Sequence, residues 1–151
     1  MDLGHWICSQ DFDPDEWWGF VYRVTNIQTD MQYIGRKQFR SAVTKPPLKG
    51  KKRKRKSTKD SGWREYTTSS RMINEEIKII GKDAFIFEII ELCRTKGELS
   101  YREVEIQWEE KVLSATLPSG KRKYYNGNIG AIKFRLSKDL MEDIKQRNLP
   151  K

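Results

Sequence analysis

Nine lysines and arginines lie between residues 45 and 59, in the stretch KPPLKGKKRKRKSTK, with no acid among them. The chain carries 30 basic and 21 acidic residues, so outside this stretch the two signs balance at 21 each and the whole +9 excess sits here. Such a run neutralises the phosphates of a polyanion and releases their counterions, without reading sequence. Pro46, Pro47 and Gly50 break any helix, and closely spaced like charges repel. The run is therefore expected as a mobile basic arm inserted at 45–60, with Lys51, Lys52, Arg53, Lys54, Arg55 and Lys56 as its nucleic-acid contacts. The blander uses are a solubilising loop or a nuclear-import signal.

Several other chemistries are excluded. Cys8 and Cys93 stand far apart with no histidine or further cysteine beside them, which argues against a structural zinc site and a disulfide framework. His5 is the sole histidine, so a mechanism needing two in one chain is out. No window approaches 18 consecutive apolar residues, so no membrane partner is expected. Asp11, Asp13, Asp15 and Glu16 stand where a secretory leader would place cations and an apolar run, which disfavours secretion.

The elements that position any site read as follows. A length of 151 residues fits one domain with a tail. Residues 1–18 form an acidic lead segment packed by Trp6, Trp17 and Trp18. Gly19–Thr25 alternates and is rich in aromatic and β-branched residues, so it predicts a strand, and Met31–Arg36 a second one. With a loop over Asn26–Thr29, facing positions sum to 55 and Tyr22 lies directly opposite Tyr33 on one face. Ser69 or Ser70 caps a helix over Arg71–Ile80, with Met72, Ile73, Ile77 and Ile80 inward and Gly81 ending it. Ala84–Cys93 is a nearly continuous apolar run suited to a buried central strand. After a turn at Lys96–Gly97, Ser100 caps a helix to about Leu113, with Tyr101, Val104, Trp108 and Val112 on its apolar face. A short strand around Ile129–Leu136 precedes a helical tail over 137–151. The class is α+β, a small mainly antiparallel sheet flanked by helices, with the domain spanning 19–136.

Gly19-Phe20-Val21-Tyr22 is followed, after ten intervening residues, by Tyr33-Ile34-Gly35. This hairpin resembles the GIY-YIG nuclease family, although Phe20-Val21-Tyr22 stands where Gly-Ile-Tyr is usual. The likeness continues in order through Ser69–Ser70, Gly81, Phe85–Ile90, Glu103 and Tyr125–Asn126. Two cations and Phe39 after the second motif, with Tyr124-Tyr125-Asn126 downstream, are most similar to the small stand-alone, Seg-like homing endonucleases of tailed bacteriophages. The resemblance covers roughly residues 19–130.

The resemblance implies a metal-dependent endonuclease acting on double-stranded DNA with Mg²⁺ or Mn²⁺, in the cytoplasm of an infected bacterium. It implies Tyr22 as base or water-orienting group, Tyr33 as a partner of water or phosphate, Glu103 as metal ligand and Asn126 as a brace. Arg36 and Lys37 would clamp the scissile phosphate or lower the Tyr22 pKa from about 10. Each has a plainer reading, such as a packed tyrosine or a solvated cation. For Glu103 it is a capping box with Ser100. Glu105 is a rival ligand, because it falls in the middle of the expected apolar face, where a carboxylate must be paired, metal-bound or at the rim. Two departures stand out. The basic arm intrudes where many members carry a helical arginine, leaving Arg36, Lys37 and Arg40 to substitute. Thr68 occupies the place of a common histidine, with Tyr66 the nearest aromatic hydroxyl. The alternative function is a non-catalytic nucleic-acid-binding protein on the same scaffold, and a weaker one a basic protein of the ribosome or of packaged RNA.

Overall fold

The computed structural model describes residues 1–134 and 146–147. Its elements run β1 (Trp6–Cys8), β2 (Gly19–Asn26), β3 (Gln32–Gln38), β4 (Arg40–Lys45), β5 (Arg55–Asp60), α1 (Arg71–Ile80), β6 (Phe85–Cys93), α2 (Lys96–Glu109), β7 (Asn128–Ile129) and β8 (Ile132–Lys133). The main sheet has the order β1-β6-β2-β3. β2 pairs antiparallel with β3 and β6, and β1 runs parallel to β6. This is the α+β class with a small, mainly antiparallel sheet. No helix among the described residues is long and apolar enough to cross a membrane. The helical tail expected at 137–151 lies outside the described residues except for Gln146 and Arg147.

Both faces of the sheet are covered, which is why β6 reads as a nearly unbroken apolar run and β2 is buried along most of its length. Phe20, Tyr22 and Val24 point to one face, into an aromatic layer with Trp6, Phe12, Phe39, Trp63 and Ile73 of α1. Val21 and Ile34 point to the other, against Leu99 and Ile106 of α2. The lead segment enters this core: Trp6 is buried in β1 and donates its indole N–H to the Trp63 carbonyl at 2.7 Å. Trp17 carries the Arg94 guanidinium over its ring at 4.1 Å.

The hairpin register differs from the expected one. Tyr22 faces Gly35 and Tyr33 faces Val24, so facing positions sum to 57. Asn26 stays in the ladder, donating its N–H to the Met31 carbonyl at 2.8 Å. Its Oδ1 accepts from the N–H groups of Gln28 at 2.9 Å and Thr29 at 3.3 Å. The loop is therefore Ile27–Asp30, with Asp30 at φ +63°. A shift of two residues keeps every side chain on its face. The two tyrosines still share a face but meet diagonally, with ring centroids 6.1 Å apart.

The basic stretch, expected as an irregular arm, is largely a two-stranded ribbon. β4 and β5 pair antiparallel from Arg40↔Asp60 to Lys45↔Arg55, and 46–54 connect them. Val43, Thr44, Ser57 and Thr58 supply strand-forming side chains, and pairing leaves the flanking cations in water, where their repulsion is screened.

α1 matches its expected bounds. The Ser70 Oγ accepts from the Ile73 N–H at 3.3 Å, and Gly81 ends the helix at φ +90°. Only Ile73 is fully buried, however, while Met72 and Ile80 stay exposed. α2 departs further. Its cap is Thr95, whose Oγ1 accepts from the Glu98 N–H at 3.0 Å. Ser100 therefore lies inside the helix and the capping box with Glu103 does not form. The inward residues are Leu99, Ile106 and Gln107, while Tyr101 and Trp108 are 64% and 51% exposed. The helix presents nearly the opposite face from the expected one, because polar side chains on its inner face find partners on β3.

Candidate active site

The second motif lies on β3, the open edge of the sheet, and alternation divides its residues between the two faces. Tyr33, Gly35 and Lys37 share the face of Tyr22, whereas Arg36 turns toward α2. The segment after α2 closes the edge. The Gln32 N–H donates to the Lys123 carbonyl at 2.8 Å, and the Tyr125 N–H donates to the Gln32 carbonyl at 2.7 Å. Asn126 is buried, and its Oδ1 accepts from the Ile34 N–H at 3.1 Å while its Nδ2 donates to the Ile34 carbonyl at 2.8 Å. Both halves of the amide serve the β3 backbone, so Asn126 braces the strand.

Tyr22 is wholly buried. Its oxygen accepts from the Ser69 N–H at 3.3 Å and shares a hydrogen bond with Thr68 Oγ1 at 3.3 Å. Tyr66 meets the Tyr22 ring edge-on at 6.1 Å, and the Lys37 ammonium sits 4.3 Å from the centroid of Tyr66. Thr68 and Tyr66 thus close over the phenol. Burial first, then the nearness of Tyr66 and Tyr33, raise the Tyr22 pKa well above its ordinary value. Arg36 and Lys37 do not lower it, contrary to expectation. Burial also lowers the Lys37 pKa. Tyr33 is half-buried and hydrogen-bonds Ser69 Oγ at 2.8 Å, and burial raises its pKa too, with Glu103 nearby adding to the rise. The phenols and hydroxyls of Tyr22, Thr68, Ser69 and Tyr33 form one connected cluster, its outer end at exposed Ser69.

Across the edge of β3, Arg36 reaches α2. Its guanidinium donates to Ser100 Oγ, and its Nε lies 3.7 Å from Glu103 Oε1. The Glu103 side chain is 20% exposed. Burial raises its pKa, and the Arg36 charge partly offsets the rise. Glu105 is elsewhere. It pairs with Arg102, whose Nε also binds Glu91 of β6 at 2.6 Å. β6 and β3 are separated by β2, so Glu103 and Glu105 of α2 reach different strands of the sheet. The structure brings Tyr22, Tyr33, Arg36, Lys37 and Glu103 to one edge and leaves Glu105 outside it. Lys51, Lys52, Arg53 and Lys54 stand at the ribbon tip, with Arg55 and Lys56 in β5, all exposed.

Some supports were not visible from residue types. Gln107 donates its Nε2 to the Ile34 carbonyl at 2.9 Å, beside the Asn126 bond. Its position four residues after Glu103 was the available signal, since i and i+4 share a helix face. His5 bonds the Tyr66 carbonyl through Nε2 at 2.8 Å, which ties the lead segment to the loop that covers Tyr22. Asn26, Tyr125 and Glu76 form a triangle linking the hairpin turn to α1, with Tyr125 donating to Glu76 at 2.7 Å.

A family model described as "Putative endonuclease segE, GIY-YIG domain" matches residues 6–129, most of the chain. No curated protein and no solved structure matches it. The chain belongs to the GIY-YIG nuclease family and resembles the Seg-type phage endonucleases.

Proposed function

From that membership, we propose that the chain is a metal-dependent DNA endonuclease of the phage homing type, working on duplex DNA in the cytoplasm of an infected bacterium. The observation that carries this reading is the pairing of Glu103 with Arg36 on the edge strand that also bears Tyr33. A phosphodiester needs its growing negative charge offset and its attacking water oriented. Arg36, with a side chain 46% exposed, is placed to take a phosphate oxygen. The Tyr33 phenol and the exposed Ser69 hydroxyl are placed to orient a water or a phosphate oxygen. The Tyr22 phenol keeps its proton at neutral pH and acts as a hydrogen-bonding support behind Ser69 and Thr68, rather than as a base.

Glu103 fits a hard divalent cation. Among the described residues its ion-pair partner is Arg36, beyond hydrogen-bond length, and a single carboxylate suits Mg²⁺, which keeps several waters and takes other oxygens from substrate. Among the described residues no group of three or more His, Cys, Asp or Glu forms an all-protein cage. When bound, such an ion supplies charge stabilisation at the phosphate and a more acidic water. The basic ribbon holds the DNA backbone.

The test is conversion of supercoiled plasmid to nicked or linear product with Mg²⁺ or Mn²⁺, beside Tyr22→Phe and Glu103→Ala. The wild type should cut, and both variants should bind DNA while losing activity. The burial of Tyr22 beneath Thr68 favours a second reading, a binding protein without catalysis. DNA shifted in gels but uncut with either ion would establish it and remove the nuclease.

A further inference from the structure

The β4–β5 ribbon is more than a charged tether. Its base is locked to the core: buried Phe39 and Trp63 stack edge-on at 5.0 Å, on either side of it in sequence. The Ser61 N–H donates to the Phe39 carbonyl at 3.0 Å, and Ser61 Oγ donates to the Gln38 carbonyl at 2.6 Å. Arg64 pairs with Asp60 at 3.5 Å. The ribbon therefore springs from the strand that carries Tyr33, Arg36 and Lys37 and returns into the loop that carries Tyr66, Thr68 and Ser69.

Its side chains are not uniform. Cations crowd the tip, where Lys51, Arg53, Lys54, Arg55 and Lys56 line one hollow with Leu48. Arg40 and Lys59 mark the base. Between them lie the short neutral residues Ala42, Val43, Thr44, Ser57 and Thr58, with Lys56 at the tip end of β5. The pairs Ala42↔Thr58 and Thr44↔Lys56 face one way and are exposed, while Val43↔Ser57 face the other and are half-buried. Thr44 and Thr58 favour a strand and also put hydroxyls and methyls on this exposed face, where Thr58 Oγ1 accepts from Arg40 Nε at 2.9 Å. Ser and Thr hydroxyls, thymine-contacting methyls and a lysine are groups that read base edges. The major groove of B-DNA admits a two-stranded β-ribbon. Six residues of strand span about 20 Å, roughly six base pairs.

The geometry points to a specificity element: the ribbon lies in the major groove of duplex DNA, with the Ala42–Thr44–Lys56–Thr58 face toward the bases and the tip and base cations on the flanking phosphates. This rests on the nuclease reading above for the nature of the substrate, and places the sequence preference within about six base pairs to one side of the cut.

Binding selection from random duplexes in EDTA, with the full chain, tests it apart from cleavage. The wild type should enrich a motif whose binding is blocked by methylation of guanine N7, a major-groove atom. Thr44→Val with Lys56→Ala should flatten one or two positions of that motif by about 5- to 150-fold. Lys51→Ala with Lys52→Ala should weaken all sequences alike. A motif insensitive to N7 methylation, no motif, or a motif unchanged in the Thr44/Lys56 variant would each overturn the proposal. So would binding confined to structured RNA, whose major groove is too narrow to read. Plasmid cutting measured in parallel separates the two readings: cutting without a groove signal removes the ribbon proposal alone, and N7-sensitive binding without cutting removes the nuclease alone.

Discussion

The Tyr22 phenol lies against Gly35, its partner across the hairpin: a Cβ built on Gly35 would stand 2.5 Å from the Tyr22 oxygen and 2.9 Å from Tyr33 Cε1. The glycine of the second motif is thus a seat for the tyrosine of the first. Gly35→Ala should force that ring out, costing about 1–3 kcal/mol as other overpacked cores do. Thermal unfolding should show the loss, and plasmid nicking should fall with it. An unshifted melting curve would mean the phenol has somewhere else to go.

Glu103 and Glu105 should separate cleanly in kinetics. Glu103→Gln removes the carboxylate beside Arg36, and nicking should drop about 10²–10³-fold, the scale of losing one electrostatic group at a reacting centre. Glu105→Gln touches only the Arg102–Glu91 cluster and should keep near-normal rates. Equal losses would place the ion elsewhere.

Glu103 should also oppose stability at neutral pH. Its folded pKa is raised, first by burial, so the folded state holds the proton longer than the unfolded chain. The stabilising contribution of the protonated form is complete below the unfolded value of about 4.3 and is lost as pH rises through the folded one. Glu103→Gln should match the wild type near pH 3 and outlast it at pH 7 in urea unfolding. A constant difference across that range would contradict the raised pKa.

Asn126→Ala should loosen the β3 edge. It strands the Ile34 N–H, at about 1–3 kcal/mol for a buried unsatisfied donor, while Gln107 still covers the carbonyl. Hydrogen exchange at the Ile34 amide should accelerate more than at Val24 on β2. Unchanged exchange would show that the 123–126 segment needs no amide anchor.

Removing residues 49–56 takes away seven cations from the ribbon tip. The slope of log affinity against log salt should shrink by up to about 0.9 per lost phosphate contact. Filter binding over a salt series measures it, and an unchanged slope would show that the tip touches no phosphate.

The site was legible wherever spacing alone decides geometry. Period-two alternation puts Tyr22 and Tyr33 on one face under either register, and the Ser70 cap with Gly81 bounds α1. The apolar run from Phe85 is buried in mid-sheet as its composition requires. The face of α2 was not legible. Periodicity sends Tyr101 and Trp108 inward, but the helix turns Leu99, Glu103 and Gln107 to the sheet, because Gln107 finds the Ile34 carbonyl there. A helix that serves a site places polar groups on its inner face, which is the pattern a hydrophobic stripe hides.

Residue order by itself determined the family, the class of fold, the location of all the excess charge and the set of side chains near the edge of β3. Tertiary structure decided three things. It set Glu103 beside Arg36 of β3 and Glu105 beside Arg102, which also binds Glu91 of β6. It buried Tyr22 under Thr68 and Tyr66, which come from a loop more than forty residues away. It also made a β-ribbon of a stretch whose charges argue for none. Each outcome depends on contacts between distant segments, and the free energy of such contacts is not written in any local window of sequence.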